Sequence, residues 1–99
     1  MPLRVKISTR AATQIARAAQ WWEDKRPAAS GAVATDLAEC FALLQLQPGI
    51  GTRIAVGRDP LVRRLYLGRV GYFVYCKVVG AELRVLAFWH ASRAAQPKL

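Results

Sequence analysis

Ninety-nine residues suit a single domain with a small core, and an apolar content of 54% excludes an intrinsically disordered chain. Fifteen Lys/Arg stand against six Asp/Glu, a net charge of +9. Residues 1–49 hold six cations and four acids, whereas residues 50–99 hold nine and two, so the positive charge gathers in the second half. A field of that sign favours nucleic acid or an acidic protein as partner. No run is long and apolar enough to span a membrane, and MPLRVKIS has no apolar signal core, so the chain is expected to be cytoplasmic with no membrane partner. Cys40 and Cys76 fall inside regular-structure patterns and read as buried reduced thiols. Without a CxxC or a Cys/His cluster, no metal and no cofactor is suggested.

In chain order, Leu3–Ile7 alternates apolar and charged residues, which predicts a strand with one buried face. Ser8 or Thr9 offers an N-cap oxygen to a helix over Arg10–Lys25. Ala11, Ile15, Ala18 and Trp22 recur on one helical face, and one of Trp21 and Trp22 is expected in the core with the other flanking it. Pro27 interrupts, and a second helix is predicted from Ala28 to Leu46 with Val33, Leu37, Cys40, Phe41 and Leu44 on its inner side. The short connection implies an antiparallel helical hairpin. Pro48–Gly51 ends it, and Thr52–Pro60 is a loop in which Ile54 and Val56 suggest a short extra strand.

The most informative stretch is Leu61–Arg93. Leu61–Leu67, Tyr72–Val79 and Glu82–Trp89 are rich in β-branched and aromatic residues and are separated by Gly68-Arg69-Val70-Gly71 and Gly80-Ala81. Connections this short predict an antiparallel meander. Strict alternation puts Tyr72, Val74, Cys76 and Val78 with Leu83, Val85, Ala87 and Trp89 on the core face. Phe73, Tyr75, Lys77, Arg84, Leu86, Phe88 and His90 then share the outer face, a mixture of apolar and cationic groups that suits a partner. The fold class is therefore α+β in the order β-α-α-β-β-β: an antiparallel sheet of about four strands packed on an N-terminal helical hairpin.

Catalytic groups are sparse. His90 is the only histidine, and Asp59 and Glu82 are the only acids in the second half. Neither a serine-nucleophile signature nor a phosphate-cradling glycine loop occurs. If His90, Arg93, Arg64 and Arg69 approach one another, the histidine is a candidate acid or base and the arginines candidate phosphate holders for RNA cleavage.

Several features in this order resemble the RelE/ParE superfamily of toxins from bacterial type II toxin–antitoxin modules. They are Trp21-Trp22 with Arg26-Pro27, Leu46-Gln47-Pro48-Gly49, Val62-Arg63-Arg64-Leu65, Gly71-Tyr72 followed by Tyr75, and Trp89-His90-Ala91-Ser92-Arg93. The resemblance extends over nearly the whole chain. It implies a growth-inhibitory toxin in a hetero-oligomer with a cognate antitoxin, whose acidic or amphipathic C-terminal segment would wrap it. Residues expected to meet antitoxin or target are Arg63, Arg64, Arg69, Tyr75, Lys77, Arg84 and Phe88, together with the helical hairpin.

The superfamily divides between ribosome-dependent mRNA endonucleases and ParE-like inhibitors of DNA gyrase. Arg64 and Arg93 match two cationic places of the endonucleases. Phe73 and Tyr66 stand where that branch carries cations, so the chain looks closer to the ParE-like branch. An inhibitory binding protein without catalysis is the expected reading; the alternative is an endoribonuclease using Arg64, His90 and Arg93.

Overall fold

The computed structural model describes residues 2–54 and 59–99. The first strand, β1, covers Arg4–Ile7, and the first helix, α1, covers Thr9–Lys25. Ser8 caps α1: its backbone is extended and its hydroxyl oxygen accepts the N–H of Ala11 at 3.0 Å. Ala11 and Ala18 are buried, and Ile15 and Trp22 pack beside them, as their spacing predicts. Trp22 is the inward tryptophan, while Trp21 is 46% exposed and meets it edge-on.

Pro27 opens a short 3-10 turn over Pro27–Ala29, so the second helix, α2, runs Ala32–Leu46 and starts later than the predicted Ala28. The proline ring fixes φ and removes a donor, which suits a new first turn rather than a continuous helix. Val33, Leu37, Cys40 and Leu44 are buried against α1 and the sheet, with Phe41 half-buried beside them.

The sheet has five strands in the spatial order β1-β5-β4-β3-β2, with β2 at Thr52–Arg53, β3 at Arg63–Leu67, β4 at Tyr72–Val79 and β5 at Glu82–His90. The predicted meander is present, and its turns place Gly71 and Gly80 at positive φ. Two features correct the sequence reading. The sheet is mixed: β1 lies parallel to β5, Val5 opposite Leu83 and Ile7 opposite Val85. The chain between them, two helices and three further strands, is far longer than the crossover that a parallel pairing requires. An edge strand covers Thr52–Arg53, paired with Arg63 and Arg64; the strand expected around Ile54 and Val56 reaches outside the described residues.

The second correction concerns the faces of β5. Tyr75 pairs with Ala87 and Cys76 with Val85, so Leu86 is an extra residue, a β-bulge. One extra residue reverses the facing of everything beyond it. Leu83 and Val85 face the helices as predicted. Past the bulge, Phe88 joins them in the main core, whereas Ala87 joins Tyr75 and Val62 on the outer face, with Trp89 packed there. Phe88 is 2% exposed, and the ring of Tyr72 stacks on it at 4.5 Å. Alternation had assigned Phe88 and His90 to the outer face and Ala87 and Trp89 to the core.

Backbone groups at the bulge are satisfied by the N-terminal segment. The Ser8 N–H donates to the Val85 carbonyl at 3.0 Å, and its hydroxyl donates to the Leu86 carbonyl at 3.3 Å. The Gln14 side-chain oxygen accepts the Phe88 N–H at 2.8 Å. Where β1 ends, α1 takes over the edge of β5.

Candidate functional site

The reversed end of β5 builds one wall of a cleft of about 880 Å3, and α1 builds the other. Gln14, Arg17, Trp21 and Arg26 come from α1 and its C-cap; Tyr72, His90 and Arg93 come from the sheet and the segment that leaves it. The β3–β4 turn closes one end with Arg69. Four arginines and a histidine therefore surround this space, and no Asp or Glu lines it among the described residues. The nearest acid is Asp36 on α2, which binds one nitrogen of Arg69 from the rim.

His90 is held in a defined way. The Ser92 N–H donates to Nδ1 at 3.1 Å, and the Ser92 hydroxyl lies 2.6 Å from the same atom. An Nδ1 that accepts an N–H leaves the proton of the neutral ring on Nε2, which becomes a donor. The imidazole stands edge-on to Tyr72 at 4.9 Å. Burial raises the Tyr72 phenol above its ordinary value, and the Arg93 guanidinium pulls in the other direction. Arg93 itself lies over the Trp89 ring at 4.1 Å, a cation–π contact.

The outer sheet face is a second cationic surface. Arg64 covers the Phe73 ring at 4.1 Å and donates to the Tyr75 hydroxyl at 3.3 Å. Tyr66, 54% exposed, tilts against the same Phe73. Lower on this face the cations are neutralised: Lys77 pairs with Asp59 at 2.6 Å and Arg84 with Glu82 at 3.1 Å.

Of the predicted binding residues, Arg64, Lys77 and Arg84 share the outer face, and Arg69 borders the cleft. Arg63 pairs with Cys76 and turns to the helix side, donating to the Gly49 and Gly51 carbonyls. Tyr75 and Phe88 are buried, on opposite faces, and support the sheet instead of offering surface. The candidate catalytic set is divided as well. His90, Arg93 and Arg69 meet at the cleft, whereas Arg64 stands on the other side of the sheet. Arg17 and Gln14 of the cleft were absent from the sequence reading, and Arg26 entered it only with Pro27 as part of the resemblance. Arg17 stands three residues after Gln14 and four before Trp21, a helical stripe that marks their shared face but not what lies opposite.

A helical hairpin on a mixed sheet, with a basic cleft beside the last strand, defines a small basic α+β domain. The family profile described as "ParE toxin of type II toxin-antitoxin system, parDE" matches residues 5–95, and the chain belongs to that family. Among solved structures, the chromosomal ParDE TA system from P. aeruginosa superposes with a TM-score of 0.73 at 21% identity, over 91% of this chain and 97% of that one. That likeness extends to the fold. No curated protein matches the sequence.

Proposed function

We propose that this chain is a growth-inhibitory toxin that binds and inhibits DNA gyrase, and that a cognate antitoxin neutralises it. The observation that carries the reading is the separation of Arg64 from His90. An endonuclease using Arg64 with His90 needs both around one phosphate, and the sheet stands between them. Binding without chemistry imposes no such convergence.

An acidic or amphipathic antitoxin segment suits two surfaces. The outer sheet face offers Arg64 beside Phe73 and Tyr66, and α2 exposes Leu43 and Leu46. Aromatic and arginine side chains of this kind are common anchors of protein interfaces. Because the attraction is partly between exposed charges, the complex weakens as salt rises.

The test is supercoiling by purified gyrase against a titration of the protein. Dose-dependent inhibition with accumulation of cleaved DNA is expected; complete indifference of gyrase overturns the reading. The convergence of His90 and Arg93 favours a second reading, ribosome-dependent mRNA cleavage. Toxicity that survives His90→Ala combined with Arg93→Ala, in a folded protein, eliminates it.

A further inference from the structure

We infer that the cleft between α1 and the end of β5 binds a nucleotide unit, its phosphates held by Arg69, Arg93 and Arg26 and its base stacked on the exposed ring of Trp21. This site is distinct from the outer face assigned above to the antitoxin, and it does not depend on gyrase being the target.

The chemistry of the walls points there. All four cationic side chains lining the cleft are arginines and none is a lysine. The planar guanidinium fork matches phosphate oxygens two at a time. Their charge is largely uncompensated: Asp36 engages one nitrogen of Arg69, whose side chain remains 57% exposed, and no other carboxylate faces the space among the described residues. The Nε2 edge of His90, whose Nδ1 is taken by the Ser92 N–H, adds a donor to the cleft. Trp21 presents its ring at the same opening, nearly half exposed, and meets the ring of Trp22 by an edge. An acidic peptide would satisfy the arginines and leave that ring bare. A nucleotide carries the anion and the aromatic plane in one unit, and base–aromatic stacking adds to the phosphate contacts. The volume, about 880 Å3, lies within the range of small-ligand clefts.

A free nucleoside triphosphate and a nucleic-acid strand share this chemistry. The experiment titrates the purified full-length protein with ATP, with a short single-stranded oligonucleotide, with inorganic phosphate and with poly-glutamate, following tryptophan fluorescence and isothermal calorimetry. Saturable quenching by nucleotide, much stronger than any response to phosphate, is expected. ATP binding as tightly as the oligonucleotide identifies a free nucleotide as the source; clearly tighter oligonucleotide binding identifies a strand. Arg69→Ala and Arg93→Ala each should weaken binding by about tenfold or more. Trp21→Leu, with its fold checked by circular dichroism, should weaken nucleotide but not phosphate. Equal affinity for poly-glutamate, affinity unchanged in both arginine variants, or absence of any saturable binding would overturn the proposal.

Discussion

The side-chain oxygen of Gln14 accepts the backbone N–H of Phe88 at 2.8 Å, joining helix α1 to the strand just past its bulge. Beyond Ile7 there is no β1 to pair with β5, and the helix supplies the missing acceptor. Gln14→Ala leaves that donor without a partner beside a buried ring. It should cost about 1–3 kcal/mol in urea unfolding, and Gln14→Glu, which keeps an acceptor, should recover most of it.

Ser8 carries two duties at the same junction, capping α1 through Ala11 and donating to the Leu86 carbonyl. Ser8→Ala should destabilise by about 1–2 kcal/mol. Ser8→Asp keeps the cap but has no hydroxyl for Leu86, so denaturant midpoints should rank serine above aspartate and aspartate above alanine.

Gly51 has φ of +98°, and a Cβ there would lie 2.8 Å from the Arg64 carbonyl oxygen. Gly51→Ala must therefore move the β2–β3 edge backbone or bear the strain. A loss of about 1–3 kcal/mol is expected in thermal unfolding. The equivalent change at Gly31, where a Cβ meets nothing within 4 Å, should be near neutral or stabilising.

Asp59 receives hydrogen bonds from Lys77 at 2.6 Å and from the Leu61 N–H at 2.9 Å, which hold its carboxyl below the ordinary 3.8. A carboxyl with a depressed folded-state pKa contributes stability that is complete above its unfolded value and disappears as pH falls through the folded one. Asp59→Asn should therefore lower Tm at neutral pH and change it little at about pH 2, below the ordinary carboxyl range. Equal losses at both pH values would contradict this assignment.

Burial pushes the thiols of Cys40 and Cys76 up to about 12 and about 11. The thiolate is the reactive form, so native protein at about pH 8 should react very slowly with a thiol reagent. Labelling should accelerate with denaturant in step with global unfolding. Fast labelling of either cysteine in native conditions would show that α2 opens from β4 without unfolding.

The local elements were legible because their signals are local. The Ser8 cap, the Ala11–Trp22 stripe and the glycine turns around Tyr72–Val79 each depend on spacing within one segment, and each is present in the fold. The bulge was illegible for an equally definite reason. Val85-Leu86-Ala87-Phe88 is apolar throughout, so slipping by one residue leaves no mark in the pattern. That slip put Phe88 under the helices and His90 at the cleft, and with them it decided which predicted site residues could meet.

By itself the sequence determined the composition of this protein's surfaces: an arginine-rich second half, few acids, one histidine, and a helical hairpin followed by a three-stranded meander. Periodicity and turn chemistry are properties of neighbouring residues, so they survive without knowledge of the fold. Only the tertiary structure decided that β1 runs parallel beside β5, that Arg64 and His90 stand on opposite sides of the sheet, and that Arg17 of α1 and Arg26 at its C-cap line one cleft with Arg69 and Arg93. Those relations join residues far apart in the chain. They follow from the edge that β1 occupies and from the bulge that ends its pairing, where hydrogen bonds from Ser8 and to the Gln14 side chain take the place of a continuous ladder.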